Sequence, residues 1–456
     1  MKKTIKKTLS GLFVFIFLTA SSAFAQQNLT KVKQHLKKII EEEYLLGVSA
    51  AYIQPEGEVQ YFSLGSIAEG KEKRPTKHTI YEIGSISKTF TSLILARMVQ
   101  QGIVSLHTPI GNILPDTLEL PTFEGKKINL LNLATHTSGL PRLPTNFKPE
   151  NWMNPYADYT VPQMYTFLEN YELTRAPGGR LVYSNFGAGL LGYLMALKSE
   201  MTYKDLLRKY VTEPLGMNDT QIEVPAQKQD RFAAPYNYGI EVKRWDMSVL
   251  AGAGGIRSTT KDLVAYLKAQ MRPDAAPMQE AINMTHVVRF GEGNDSTATI
   301  GLGWFYSTKH DTLIWHNGGT GGYRSFVGWN AETKVGAVVL VSGKRDVTNI
   351  GFNLLDKRYE LNEMKESVKV DSTILASYTG YYQITPAFGL KIFMKNHFLV
   401  AQAIGQQPFR LFAESKNRFF YRAVDAKIEF IKNNQDEVHK LKLYQNGRTL
   451  TGIKMK

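Results

Sequence analysis

Cysteine is absent from the 456-residue chain, which excludes a disulfide framework and a lipid-modified cysteine. The usual zinc-site spacing is missing too, because none of the nine histidines stands four residues from another. No serine lies in a G-x-S-x-G elbow, and no Gly-Lys-Ser/Thr follows the glycines of 318–322. We therefore expect folding by packing alone, no cofactor and no metal, and neither α/β-hydrolase nor phosphate-loop chemistry.

Long apolar runs are missing beyond the N-terminus. Residues 1–25 combine four lysines, an apolar run over 9–18 and the cleavage pattern Ala23-Phe24-Ala25, which predicts a secretory signal peptide. An uncleaved membrane anchor is the alternative, but the run is shorter than the roughly 20 residues that a span needs. We expect an exported protein, periplasmic or secreted, with no integral membrane segment after signal cleavage.

The formal net charge is +14, and removal of the four signal-peptide lysines leaves +10. This excess favours anionic surroundings such as wall polymers or acidic lipid heads, although solubility alone explains it equally well. No nucleic-acid-binding motif accompanies the charge, so no nucleic-acid partner is expected. The oligomeric state stays open.

A hydrophobic fraction of 43% is ample for a sizeable core. Apolar periodicity predicts an amphipathic helix over 29–46, two strands over 48–54 and 59–64 that form a hairpin, and a helix over 185–199. Three later strands look like an antiparallel sheet edge; they cover 312–316, 323–329 and 335–341.

The composition changes after about residue 365. Apolar residues alternate with polar ones in Leu390/Ile392 and Leu441/Leu443, and Asn446-Gly447 is typical of a two-residue hairpin turn. This pattern predicts a small, separate all-β unit at the C-terminus.

The stretch "YEIGSISKTF" places Ser85 and Lys88 on one face of an apolar helix. A second Ser-x-x-Lys, Ser258 to Lys261, has a complete structural explanation as a helix cap. Capping does not explain a lysine carried into the core, where an ammonium must be neutralised or paired. Lowering the pKa of Lys88 to near 7 would represent about 4 to 5 kcal/mol, and a neutral lysine beside a serine can accept the hydroxyl proton. We expect Ser85 to be a nucleophile at a helix N-terminus, activated by Lys88.

Two other stretches join this pair. Tyr183-Ser184-Asn185 follows a Pro- and Gly-rich loop, from which Tyr183 and Asn185 could reach a cleft. In "WHNGGTGGY", His316 to Gly319 lie on or beside a strand that its glycines leave open to close backbone approach. Each stretch alone is a common turn or hairpin, but the combination is specific.

Residues 81–88 resemble the active-site signature of class C serine β-lactamases, with Tyr81 where phenylalanine is usual. Tyr183-Ser184-Asn185 is similar to the second motif of that family, and His316-Asn317-Gly318 stands in the place of its Lys-Thr-Gly motif. The stretches "LATHTSGLP" and "EPLGM" are also family-like, and the resemblance covers about residues 40–345.

The resemblance implies catalytic roles for Ser85, Lys88 and Tyr183 in forming and hydrolysing an acyl-enzyme. It implies substrate-binding roles for a second group of residues: Asn185, His316, Asn317, Gly318 and Gly319. Backbone N–H groups of Ser85 and Gly319 would form the oxyanion hole. How protons divide between Lys88 and Tyr183 stays open.

The histidine at position 316 departs from the family's lysine, because it carries only a partial charge near neutral pH. We therefore expect substrate affinity to weaken as the pH rises through the imidazole range. Relatives with histidine there include periplasmic D-Ala-D-Ala carboxypeptidase/endopeptidases, which the body resembles most, as well as esterases and D-aminopeptidases.

The resemblance implies an α/β (α+β) β-lactamase/transpeptidase-like body, with an antiparallel sheet flanked by helices and a mainly helical subdomain. The predicted divisions are a signal peptide (1–25), a serine hydrolase domain (26–365) and a lipocalin-like β domain (366–456). The expected substrates are β-lactams or D-Ala-D-Ala-type peptides. The alternatives are an esterase, a D-aminopeptidase, or a penicillin- or peptide-binding protein without turnover.

Overall fold

The computed structural model describes residues 27–240, 242–291, 299–307 and 309–455. The predicted signal peptide lies outside the described residues. Within these ranges, no helix has both the length and the apolar character that crossing a bilayer requires.

Helices and strands alternate irregularly through the larger, N-terminal part. Its helices are α1 (27–41), α2 (Ser87–Gln100), α3 (Leu130–Ala134), α4 (Val161–Asn170), α5 (Asn185–Ser199), α6 (Tyr203–Leu207), α7 (Ala251–Gly254), α8 (Thr260–Met271), α9 (Gln279–His286) and α10 (Thr348–Leu355). Its strands are β1 (Leu45–Ile53), β2 (Val59–Gly65), β3 (Ile80–Glu82), β4 (Thr122–Phe123), β5 (Lys126–Lys127), β6 (Arg257–Thr259), β7 (Thr299–Ile300), β8 (Phe305–Ser307), β9 (Leu313–Gly319), β10 (Tyr323–Asn330) and β11 (Gly336–Gly343).

Seven of these strands form one antiparallel sheet in the order β2-β1-β11-β10-β9-β8-β7. The predicted hairpin is β1 and β2, with Val48 opposite Leu64. Strands β9, β10 and β11 lie inside the sheet, so their interpretation as a sheet edge was wrong. The edge beyond them is built by β8 and β7, which are too short to give a clear periodic signal.

Each face of this sheet has its own apolar core, because alternate residues of a strand point to opposite faces. From β1, Ala51 and Ile53 join the core that contains α2 and α8, whereas Val48 and Ala50 join the core that contains α1 and α10. The sheet is therefore the middle layer of three. Helix α1 ends before the predicted residue 46 because Glu43 adopts a left-handed φ of 57°.

The helical layer carries one close approach that matters for the site. A Cβ atom on Gly192 of α5 would lie 2.9 Å from the Cα atom of Gly252 in α7, so both positions need glycine for the two helices to touch. This contact holds α7 against α5. The carbonyl group of Ala253 is thereby held next to the side chain of Lys88.

The C-terminal part is a curled nine-stranded sheet with one short helix, and we refer to it as the barrel. Its elements are α11 (Ser372–Ser377), β12 (Gly380–Thr385), β13 (Phe388–Lys395), β14 (Phe398–Ala403), β15 (Phe409–Arg410), β16 (Phe412–Ala413), β17 (Arg418–Phe420), β18 (Ala426–Lys432), β19 (Val438–Gln445) and β20 (Arg448–Lys454). The two edge strands, β15 and β16, are separated in the chain only by Leu411, so the sheet nearly closes on itself.

The predicted turn Asn446-Gly447 joins β19 to β20, and both residues have positive φ angles of 51° and 72°. Those angles are what a two-residue hairpin turn requires. The predicted division at residues 365 and 366 lies in a stretch, 359–371, without helix or strand; its position stays a prediction.

The barrel packs on the N-terminal part through a buried arginine. The Arg422 side chain is 1% exposed, and its guanidinium carbon lies 3.6 Å from the ring centre of Tyr44 and 3.8 Å from that of Phe412. It also donates a hydrogen bond to the carbonyl oxygen of Glu42. A cation between two aromatic faces, shielded from water, holds the two parts together.

A loop of residues 235–240, which we call the bridging loop, touches both parts. On the barrel side, Ile240 forms a small apolar cluster with Phe398 and Val400. On the other side, the backbone N–H group of Tyr236 donates to the carbonyl oxygen of Gly322, 3.1 Å away, in the turn between β9 and β10. The bridging loop therefore connects the barrel to the end of β9.

Candidate active site

Ser85 lies on a 3-10 turn, Gly84–Ile86, between β3 and α2. Gly84 has a φ angle of +51°, and a Cβ atom there would lie 2.6 Å from the backbone nitrogen of Gly319. Glycine is therefore required at position 84 both for the left-handed backbone and for the close approach to Gly319. As a result, the turn carrying Ser85 lies against the end of β9.

Lys88 is buried in the first turn of α2, with 2% of its surface exposed. Its Nζ atom lies 3.0 Å from the Oγ atom of Ser85 and 2.6 Å from the carbonyl oxygen of Ala253. Burial, helped by the positive charge of Arg142, holds the pKa of Lys88 well below its usual value. A neutral amine can donate to Ala253 and still present its lone pair to the Ser85 hydroxyl.

Tyr183 completes this group. Its hydroxyl hydrogen-bonds to Ser85, and burial raises the pKa of Tyr183 to about 12. The Nζ atom of Lys88 lies 4.9 Å from the centre of its ring. The phenol is therefore protonated at neutral pH, whereas the amine beside it is readily deprotonated.

His136 holds the segment that carries Tyr183. Its ring centre lies 4.4 Å from that of Tyr183, and its Nδ1 atom accepts a hydrogen bond of 3.2 Å from the backbone N–H group of Ser184. Burial lowers the pKa of His136 well below its usual value, which keeps Nδ1 free to accept. Sequence reasoning missed this residue, although it stands within "LATHTSGLP" and has an uncommon positive φ of 57°.

Asn185 is the first residue of α5, after Ser184 caps the helix by accepting a hydrogen bond from the N–H group of Gly187. Its Nδ2 atom lies 3.4 Å from the hydroxyl oxygen of Tyr156. Its Oδ1 atom is buried and has no hydrogen-bond partner within the described ranges. This orphaned acceptor is suited to an N–H group of a ligand.

His316 is buried on β9, with 1% of its surface exposed. Because a carbonyl oxygen can only accept, the 2.5 Å contact with the oxygen of Asn317 places the proton on Nδ1. The Nε2 atom has no partner in the part of the chain that the structure describes. Burial, with the nearby Lys88, lowers the pKa of His316 to about 3. The expectation of a partly charged histidine at neutral pH was therefore wrong, since the ring is neutral.

The residues after His316 point in different directions, as neighbours in a strand must. The Nδ2 atom of Asn317 lies 2.7 Å from Thr348 Oγ1 at the start of α10, so this side chain is turned away from His316. A Cβ atom on Gly318 would lie 2.0 Å from the carbonyl oxygen of Ile83. Only glycine lets β9 lie this close to the turn of Ser85.

The structure thus brings Ser85, Lys88, Tyr183 and Gly319 together, with Asn185 and His316 beside them. The carbonyl oxygen of Asn317 accepts from His316 Nδ1, while its side chain contacts α10. Among the described residues, no three His, Asp or Glu side chains are grouped as metal ligands would be. The arrangement can activate a hydroxyl and receive an acyl group.

The chain is similar to known proteins over most of its length. A family model described as Beta-lactamase matches residues 32–351, and one described as Domain of unknown function (DUF3471) matches residues 364–453. A Beta-lactamase of Yersinia enterocolitica is 31% identical over 318 residues, 67% of this chain and 76% of the relative. The D-alanyl-D-alanine-carboxypeptidase/endopeptidase AmpH of Escherichia coli K12 is 30% identical over 61% of this chain and 75% of its own.

Penicillin-binding protein 4* of Bacillus subtilis strain 168 is 25% identical, over 88% of this chain and 93% of its own. Among solved structures, a Beta-lactamase/D-alanine Carboxypeptidase from Yersinia pestis, complexed with citrate, superposes with a TM-score of 0.66 and 26% identity. The match covers 74% of this chain and 99% of that one. The predicted fold class is confirmed.

Proposed function

This chain belongs to the Beta-lactamase family and is a serine hydrolase of the class C β-lactamase and DD-carboxypeptidase type, and we propose that Ser85 is its nucleophile. The observation that carries the proposal is the 3.0 Å approach of the buried Lys88 amine to the Ser85 hydroxyl. The substrates are β-lactams or D-Ala-D-Ala-type peptides, as the names of the relatives suggest.

In acylation, the Oγ atom of Ser85 attacks the substrate carbonyl while Lys88 accepts the hydroxyl proton. The carbonyl oxygen becomes negative and is held by the backbone N–H groups of Ser85 and Gly319, each worth about 10² to 10³ in rate. Its collapse breaks the carbon–nitrogen bond and leaves the acyl group on Ser85. Water then attacks the ester, and the serine recovers its proton.

Tyr183 relays the proton to the leaving nitrogen. Its pKa, raised to about 12, makes the phenol a poor resting base, whereas the lowered pKa of Lys88 makes the amine a good one. We therefore assign the first proton transfer to Lys88 and the delivery to the leaving group to the Tyr183 hydroxyl. Lys88 passes the proton it took from Ser85 to Tyr183, which restores the protonation states of both residues in the acyl-enzyme.

Asn185 orients the substrate, because its Oδ1 atom, unpaired among the described residues, accepts from an amide N–H group of the acyl part. His316 presents an unprotonated Nε2 atom, so this site differs from one with a lysine ammonium on the same strand. Gly318 lets β9 lie close to the turn of Ser85, and the Asn317 carbonyl oxygen accepts the hydrogen bond of His316 Nδ1. We also propose that the protein is exported to the periplasm or secreted. Sequencing the N-terminus of the mature protein tests this, and we expect cleavage after Ala25.

The deciding experiment incubates the mature protein and its Ser85→Ala variant with a fluorescent penicillin. We expect a covalent label on the first protein and none on the second, with unchanged melting temperatures. A label that survives the substitution excludes Ser85 as the nucleophile. Rates on a chromogenic cephalosporin and on a D-Ala-D-Ala pentapeptide then separate the two substrate classes, and a simple aryl ester tests the esterase alternative.

A further inference from the structure

The His316 side chain brings no positive charge to the cleft. Its ring is uncharged, with the Nε2 lone pair unpaired among the described residues, and burial holds the pKa of Lys88 well below its usual value. A lone pair repels a carboxylate, whereas an ammonium attracts one. An anionic substrate must therefore find its positive charge away from the His316 side chain.

Arg142 supplies a positive charge at the ring of Tyr183. Its guanidinium carbon lies 5.2 Å from the ring centre of Tyr183, and the residue is exposed. Within the described residues it makes no ion pair at 4.0 Å or less with any carboxylate. The guanidinium is thus available to a ligand at the ring that contacts both Ser85 and Lys88.

The backbone beneath this side chain is firmly held. The carbonyl oxygen of Arg142 accepts hydrogen bonds from the N–H groups of Asn185 and Phe186, at 3.0 and 3.2 Å. The preceding carbonyl, of Pro141, accepts from the Ser184 hydroxyl at 2.6 Å. The Arg142 backbone is therefore fixed at the start of α5, directly beside Asn185, while its guanidinium has no ion-pair partner among the described residues.

A second arginine beside the cleft already donates hydrogen bonds to backbone carbonyl groups. The Nη1 atom of Arg324 donates to the carbonyl oxygens of Thr320 and Tyr323, at 2.9 and 2.8 Å. A Cβ atom on Gly319 would lie 2.9 Å from that same Nη1 atom, so this guanidinium lies over the end of β9.

We propose that Arg142 binds a carboxylate carried on the acyl side of the substrate, next to the amide that Asn185 holds. The Oδ1 atom of Asn185, unpaired among the described residues, takes the amide N–H group, and the Arg142 guanidinium beside Tyr183 pairs with the carboxylate. The proposal rests on the proposed function and adds a substrate class: acyl groups with an acidic substituent near the scissile bond.

The positive charge of Arg142 also contributes to the lowered pKa of Lys88 and restrains the rise in the pKa of Tyr183. An acidic substituent bound at Arg142 would partly cancel this charge. The binding group and the proton-transfer group are therefore close enough to influence each other.

The test compares carbenicillin with benzylpenicillin, since the first carries an additional carboxylate on the acyl side chain. The rate of acylation by each is measured in the full-length mature protein by competition with a fluorescent penicillin. In Arg142→Gln, we expect the carbenicillin-to-benzylpenicillin rate ratio to fall about tenfold. In Arg142→Lys, which keeps the charge without the bidentate fork, the fall should be smaller.

Arg180→Gln is the matched control, because it removes one exposed positive charge from the loop before Tyr183. Its ratio should stay at the wild-type value. An unchanged ratio in Arg142→Gln, or an equal fall in Arg180→Gln, overturns the proposal. If penicillins do not acylate the wild-type protein, that part of the proposed function fails, and Arg142 is tested instead with 4-nitrophenyl hydrogen succinate against its methyl ester.

Discussion

The Nζ atom of Lys88 lies 3.0 Å from the Oγ atom of Ser85, in a position closed to water. Lys88→Arg should lower kcat/KM by about 10² to 10⁴, because a guanidinium stays protonated and cannot accept the serine proton. Steady-state hydrolysis measures the change, with circular dichroism as the folding control. Turnover at the wild-type rate in a folded variant would exclude Lys88 as the base.

The charge state of His316 predicts a pH profile. Since its pKa is about 3, the ring is neutral throughout pH 5 to 8, and KM should show no inflection from it there. In contrast, kcat/KM should rise with pH wherever Lys88 loses its proton, because the neutral amine is the active form. His316→Gln provides the comparison: its profile should have the same shape. An inflection in KM that this substitution removes would contradict the neutral histidine.

His136 should act as a positioning residue for Tyr183. His136→Ala removes the acceptor of the Ser184 N–H group and places alanine at a φ of 57°. The unpaired N–H group costs about 1–3 kcal/mol, so both kcat and the free energy of unfolding should fall. His136→Asn should restore much of each, because asparagine tolerates positive φ and offers an oxygen acceptor. Equal losses in the two variants would refute this role.

The barrel interface depends on Arg422. Arg422→Ala should lower the free energy of unfolding by about 2 kcal/mol, because a desolvated cation is lost from between Tyr44 and Phe412. Urea denaturation measures this change. Arg418→Ala is the control, since its partly exposed ion pair with Glu414 is worth about 1 kcal/mol or less. If the two variants lose equal stability, Arg422 does not hold the interface.

The parts of the fold with a strong local signal could be predicted from the sequence. Helix α5 occupies the residues that the periodicity indicated, and Asn446-Gly447 forms the expected turn. The burial of Lys88 also followed from its place on an apolar helix. These features depend on residues close together in the chain, where side-chain pattern and backbone preference act alone.

The missed features depend on contacts between distant segments. His316 is neutral because the protein buries it beside Lys88, more than two hundred residues earlier. His136 contacts Ser184, which is 48 residues away. In the sequence, Arg142 looks like an ordinary surface arginine. Only the structure shows that the N–H group of Asn185, in α5, donates to its carbonyl oxygen. A sequence pattern identifies the residue types, but solvent exclusion determines their charge.

The bridging loop lies between the barrel and the β9–β10 turn. A Cβ atom on Gly239 would lie 2.9 Å from the ring of Phe398, while Tyr236 is hydrogen-bonded to Gly322. Deleting the residues after 365 would therefore expose the apolar side of the bridging loop. The same loop contacts the turn that follows Gly319. A barrel taken from a relative would support the bridging loop only if it placed an aromatic ring where Phe398 lies.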